Sequence, residues 1–238
     1  MKNRLPFTIL HEDRDIVVID KPAGMLTTRT RLKERFTAEE LLNDYIRKGQ
    51  AKSRKRVYLV HRLDRETSGV MMFAKSEAVA ENFRSRWNEL TRKDYLARVE
   101  GSLDADEGVF ESYLRDDPKT MKVASVKDPR FGKFARTQWR RISETDGTTL
   151  VEVSLKSGRK NQIRVHFSES GHPIVGDVKY GAKRSSRMFL HSYRLEFKHP
   201  FSGKWLEFSS TPEQAFGFPV GGAMSVAACV SKKWENVV

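Results

Sequence analysis

The sequence predicts an α+β fold with a mixed, largely antiparallel central sheet and flanking helices. Short β-branched or bulky apolar runs, bounded by Gly, Pro, Asn or Asp, outnumber helical patterns. Most neighbouring runs are joined by links of hairpin length, and the few helical stretches carry their own caps. Strands that follow one another directly favour an antiparallel sheet over a parallel array of strand–helix–strand units.

The run from Ile9 to Pro22, ILHEDRDIVVIDKP, reads as a short strand, an acidic turn and a second strand over Ile16 to Ile19. Pro22 and Gly24 then force a turn. Thr37 to Glu40 has the capping-box pattern and opens a helix to about Arg47, with Leu41, Leu42 and Tyr45 on its apolar side. A polar, mobile stretch from Lys48 to Arg56 leads to two buried strands, Val57 to Val60 and Val70 to Ala74. Ser76 caps one helix whose positions Val79, Phe83, Trp87 and Leu90 form a core stripe. Strands follow at Tyr95 to Val99 and Val109 to Leu114, and Ala135 to Ile142 pairs with Thr149 to Leu155 around a Glu144–Gly147 turn. QIRVHFSESG reads as a helix with Ile163 and Phe167 inward and Gly171 as its stop, and His191 to Phe208 as a closing hairpin around Pro200 to Gly203. The Gly/Ala/Val-rich run from Val220 to Val230 carries no readable pattern.

With 238 residues the chain can bury a full core. Its 44 Lys and Arg against 31 Asp and Glu give a net charge of +13, which points to a polyanionic partner, nucleic acid ahead of a membrane surface. The surplus is concentrated. Arg47 to Arg65 holds eight basic residues against Asp64 alone, and Lys119 to Arg141 holds eight against Asp128 alone. Tyr58 lies in the first window, while Met121, Phe131, Phe134 and Trp139 interleave the second, a composition suited to phosphate contact and base stacking. Cys229 is the single cysteine, and the six histidines show no H-E-x-x-H spacing, so neither a disulfide nor a metal is expected. The first residues lack an apolar signal core and no segment is apolar for a membrane-spanning length, which leads us to expect a cytoplasmic protein. Gly-rich phosphate loops are missing too, so a nucleotide cofactor has no support.

Between the strands ending at Val60 and starting at Val70 lies HRLDRETSG, residues 61–69, with Asp64 between two arginines. A polar loop between buried strands presents side chains rigidly, although a solvated connection with Asp64 paired to Arg62 or Arg65 fits the same residues. HRLDRETSG, KDY at 93–95, SGRKNQIRVH at 157–166, GHPIVGDVKYG at 171–181 and LHSYRLEFKHPFSG at 190–203 together resemble the RluA-type pseudouridine synthases, in that family's order and from about Ile9 to Pro212.

The resemblance implies isomerisation of a uridine within RNA: the C1'–N1 bond is cut, the uracil turns, and a C1'–C5 bond forms. Asp64 matches the family's essential aspartate, Tyr95 the tyrosine that stacks on the target base, Arg164 the arginine that pairs with the catalytic carboxylate, and Arg62 one that helps hold the base flipped out. Arg159 and Lys93 are candidate phosphate contacts. The family uses no cofactor and no metal, and no obligatory protein partner or membrane is implied. Physical reasoning agrees, because chemistry at C1' and C5 requires a base extruded from its stack, and a carboxylate that attacks or takes a proton works ionised, a form that guanidinium neighbours favour. Where the family usually has Thr-Gly-Arg-Thr-His-Gln-Ile-Arg, this chain has Ser157 to Arg164 with Asn161 at the histidine position, an amide expected to cap the helix. The organisation expected is one catalytic domain over residues 1–238, core about 9–212, with no S4-like N-terminal domain. Two rivals remain at this point: an RNA binder that kept the fold without the activity, and an RNA-directed hydrolase with a carboxylate pair.

Overall fold

The computed structural model describes residues 5–29, 36–50 and 52–216, so Cys229 and the run at 220–230 lie outside the described residues. Backbone packing divides the chain into two compact units, one running to Thr91 and resuming over Ser192–Ser210, the other running over Arg92–His191 and resuming at Thr211.

In the first unit, β1 (Thr8–Glu12) and β2 (Ile16–Lys21) form an antiparallel pair. Asp13 makes their turn, its Oδ1 accepting the amides of Asp15 at 2.7 Å and Ile16 at 2.8 Å. Asp13, Asp15 and His199 bring ligand-type atoms within 4.8 Å of one another, and the Asp13 and His199 side chains of this group are engaged in hydrogen bonds. Asp13 Oδ2 already faces His11 at 3.1 Å, and His199 Nδ1 accepts the Ser202 amide, which turns its Nε2–H toward Asp13. The residues Ile16, Val17, Val18 and Ile19 are all fully buried, because β2 lies between β1 and β4 (Ser68–Ala74) and both of its faces are covered.

The helix α1 (Ala38–Arg47) opens on the expected capping box, Thr37 and Glu40 each satisfying the other's backbone amide. Its buried face is Ala38, Leu42 and Ile46, not the expected Leu41–Leu42–Tyr45 side: Tyr45 is exposed and donates its hydroxyl to Glu12. After β3 (Tyr58–Leu59) and β4, Ser76 caps α2 (Glu77–Ser85). The single helix expected to reach Leu90 breaks at Arg86, where φ −126° and ψ 23° leave helical space, and resumes as α3 (Trp87–Leu90). Ser85 Oγ bonds back to the carbonyls of Glu81 and Asn82, a competition that weakens a last turn. The stripe survives the break, with Val79, Phe83 and Leu90 buried against Ile16, Val18 and Met72.

The second unit is built on antiparallel strands whose spatial order departs from chain order. Its strands β5 (Thr91–Glu100), β6 (Glu107–Asp117), β7 (Lys122–Val126), β8 (Lys133–Thr145) and β9 (Thr148–Leu155) lie in the order β5-β9-β8-β6-β7, with antiparallel pairings. Asp146 and Gly147, at φ 54° and 67°, make the tight β8–β9 turn. Ile163 and Phe167 of α4 (Gln162–Glu169) point inward and Gly171 stops it at φ +86°, as expected, but every residue from Gln162 to Phe167 is buried, so the helix is enclosed rather than one-sided. The chain then returns to the first unit as β10 (Leu190–Lys198) and β11 (Trp205–Ser209), the expected hairpin, and Ser192 Oγ donates to Val70 O of β4 at 2.9 Å. The α+β class with largely antiparallel strands therefore holds.

Candidate active site

Asp64 is half-buried in the loop between β3 and β4, and Arg62 beside it is exposed. The loop is anchored from below. Thr27 Oγ1 donates to Leu63 O at 2.8 Å and accepts the Leu63 amide at 3.2 Å, so one hydroxyl grips the residue before Asp64 at both polar groups. Gly24 and Arg65 bond reciprocally, the Gly24 amide to Arg65 O at 2.8 Å and Arg65 Nε to Gly24 O at 3.1 Å. Lys21, fully buried, donates to the carbonyls of Pro22, Met25 and Arg65 at 2.9, 2.8 and 3.3 Å. Hydrogen bonds from a charged donor to three carbonyls tie the Pro22–Gly24 turn to the Asp64 loop. His61 accepts the Met72 amide on Nε2 at 3.1 Å and stacks on Trp87 with centroids 4.6 Å apart, a scaffold role.

Lys93, Tyr95, Arg159 and Arg164 belong to the second unit. Alternation along β5 puts Lys93 and Tyr95 on one face, and both are buried. A Cβ added at Gly158 would lie 4.0 Å from Lys93 Nζ, which puts the ammonium against the loop that leads into α4. Burial, with smaller contributions from Arg159 and Lys156, lowers the Lys93 pKa to about 8. Arg159 is exposed, its Nε donating to Phe134 O.

Arg164 is 6% exposed, unlike the usual helix-surface arginine, and its Nε and Nη2 fork onto Asp177 at 2.6 and 2.7 Å. Asn161 does not cap α4 with its side chain. It sits at φ 53°, a conformation asparagine tolerates, and its Nδ2 donates to the Tyr180 hydroxyl at 2.9 Å. Gln162 organises the entry to the helix instead, its Oε1 accepting from Ser157 Oγ and the Arg159 amide. Two histidine contacts hold α4 to the sheet: His166 Nδ1 meets Thr137 Oγ1 at 2.8 Å and Nε2 meets Ser112 Oγ at 2.9 Å.

The basic windows are less uniform than their composition implies. Lys119, Lys122, Lys127 and Lys133 are exposed, but Arg136, Arg140 and Arg141 pair with Glu111, Glu152 and Asp106. Phe131 and Phe134 are exposed at 59% and 43%, whereas Trp139, at 6%, packs over Gly108 on the paired strand and is not a surface for bases. Arg115, Arg130, Lys133, Arg159 and Phe131 line a cleft of about 480 Å³ in this unit.

Sequence reasoning missed Lys21, Thr27, Asp177 and Tyr180. Lys21 had a signal, a lysine closing a strand that opens with four apolar residues, Ile16 to Ile19, and Asp177 and Tyr180 lie within GHPIVGDVKYG beside Gly176, whose φ of +83° marks a fixed turn.

Residues 15–169 match the family model of RNA pseudouridylate synthase. The chain is 35% identical over 214 residues to the dual-specificity RNA pseudouridine synthase RluA of Yersinia pestis, covering 86% of this chain and 98% of that one. It is 35% identical over 220 residues to the ribosomal large subunit pseudouridine synthase D of Nitrosomonas europaea, covering 87% of this chain and 62% of the relative. Among solved structures, human RNA Pseudouridylate Synthase Domain Containing 4 superposes with a TM-score of 0.72 at 25% identity, covering 87% of this chain and 89% of that one. Taken with the placement of the HRLDRETSG and QIRVH segments, these matches establish that the chain belongs to the RNA pseudouridylate synthase family, whose enzymes isomerise uridine in RNA to pseudouridine.

Proposed function

We propose that this protein converts uridine to pseudouridine in structured ribosomal or transfer RNA, in the cytoplasm, without metal or cofactor, with Asp64 as the essential carboxylate. The observation that carries the reading is a half-buried aspartate in a loop pinned by Thr27, Lys21 and Gly24 within a chain of this family. Among the described residues no helix is long and apolar enough to cross a membrane.

The target nucleotide leaves its stack at a cost of a few kcal/mol, and stacking on Tyr95 returns about 1–3 kcal/mol. Asp64 acts at the sugar or base while the C1'–N1 bond breaks. The detached uracil rotates, C5 bonds to C1', the C5 proton is lost and N1 gains one, so the product has the mass of the substrate. Arg164 pairs with the carboxylate, Arg62 helps hold the base out, and Lys93 and Arg159 serve phosphates. Purified protein incubated with ribosomal and transfer RNA should accumulate pseudouridine with strand lengths unchanged. Free uracil or shortened strands would instead establish a hydrolase.

The cleft lined by Arg115, Lys133 and Phe131 supports an RNA track on the second unit. Each phosphate contact on a single strand contributes about 0.7 to the slope of log affinity against log salt. The Arg115→Ala/Lys133→Ala double variant is therefore expected to flatten that slope by about 1.4. An unchanged slope would remove the cleft from the RNA path.

A further inference from the structure

We propose that Asp177 and Tyr180 are positioning residues that fix the direction in which the Arg164 guanidinium acts in the reaction. The inference rests on the reading of Arg164 as the partner of the essential carboxylate and goes beyond it by naming what aims that arginine.

Both oxygens of Asp177 are engaged, Oδ2 by Nε at 2.6 Å and Oδ1 by Nη2 at 2.7 Å, with the two side chains 7% and 2% exposed. A fork of this kind fixes the guanidinium plane and its rotation within that plane. It takes the Nε–Nη2 edge, so the nitrogen outside the fork is Nη1, and its direction is set by Asp177. One face of the same guanidinium lies 5.0 Å from the centroid of the Tyr180 ring. Edge and face together remove the torsional freedom a long side chain normally keeps.

The two clamping residues are themselves held. The Tyr180 hydroxyl accepts the Val123 amide and Asn161 Nδ2, each at 2.9 Å, and its carbonyl accepts Ser168 Oγ at 2.6 Å. The Asp177 carbonyl accepts the amides of Tyr180 and Ala182. Before it, Gly176 sits at φ +83° where a Cβ would come 2.0 Å from Arg187 O, so this turn has one backbone path. A buried ion pair is a poor device for stability alone, since apolar replacements are often equal or better. A bidentate, ring-backed and doubly braced pair is what orientation requires.

The test compares single-turnover rate, RNA dissociation constant and melting temperature in Arg164→Ala, Asp177→Asn, Asp177→Glu, Tyr180→Leu and the two double variants with Arg164→Ala. Asp177→Asn should slow the chemical step about 10- to 100-fold, with RNA affinity held within about twofold. Asp177→Glu should recover part of the rate, and Tyr180→Leu should slow it about fivefold. Each double variant should be no slower than Arg164→Ala alone, because a clamp has no effect once the clamped group is gone. Losses that multiply in the doubles, or a wild-type rate in Asp177→Asn or in Tyr180→Leu while Arg164→Ala is impaired, would overturn the positioning role. A wild-type rate in Arg164→Ala would instead overturn the underlying assignment of Arg164. Should Asp177→Asn not fold, the Tyr180→Leu series decides by the same comparison.

Discussion

Asp64→Asn is expected to abolish pseudouridine formation, with the rate falling at least about a thousandfold, while RNA affinity stays within about threefold. The substitution keeps shape and replaces a carboxylate by an amide that can neither attack carbon nor take a proton at neutral pH. The backbone of the loop is held at Leu63 by Thr27 and at Arg65 by Gly24 and Lys21, so the fold should persist. The measurement is nucleoside analysis of RNA after incubation, beside a binding titration at fixed salt. Full activity in the variant would take Asp64 out of the mechanism, and loss of binding in step with activity would make it a binding group only.

Gly69→Ala carries the second largest expected effect, on stability. Gly69 opens β4 at φ +109°, and a Cβ there would lie 2.2 Å from Ser192 O and 2.7 Å from Ser192 N. Those are backbone atoms that no side-chain rotation can move away. Strain at a disfavoured φ and overpacking each cost about 1–3 kcal/mol, so a loss of about 2–6 kcal/mol follows. A urea titration should show an earlier midpoint at an unchanged slope, and an unmoved midpoint would contradict the packing described. Because Gly69 ends HRLDRETSG, the variant should also lose activity beyond what its unfolded fraction explains.

Much of the fold is legible because its signals are local. The Thr37–Glu40 capping box, the Ser76 cap, the Asp146–Gly147 turn and the Gly171 stop each depend on residues within a few positions of one another. What was not legible depends on partners distant in sequence. Tyr45 is drawn to the surface by Glu12, 33 residues away. Asn161 is diverted from capping by Tyr180, 19 residues on. Trp139 looked like a stacking surface until its strand partner proved to be Gly108, which leaves room for the ring. The candidate site follows the same division. HRLDRETSG stood out as polar between apolar strands, but its anchors Thr27 and Lys21 lie 36 and 44 residues from their Leu63 and Arg65 carbonyl partners. The burial of Arg164 against Asp177, 13 residues on, likewise had no local signal.

The two contacts of His166 have a consequence for acid tolerance. Burial pushes its imidazole down to about 4, against a smaller upward pull from Glu169, so the ring stays uncharged at neutral pH and can accept from one hydroxyl while donating to the other. An unfolded chain takes up that proton near 6.5, and the folded one refuses it until about 4. Acidification across this interval therefore favours the unfolded chain, and the melting temperature should fall progressively as the medium is made more acidic. His166→Gln, which cannot titrate, should show a shallower decline, so that the seat of α4 contributes to the acid sensitivity of the protein.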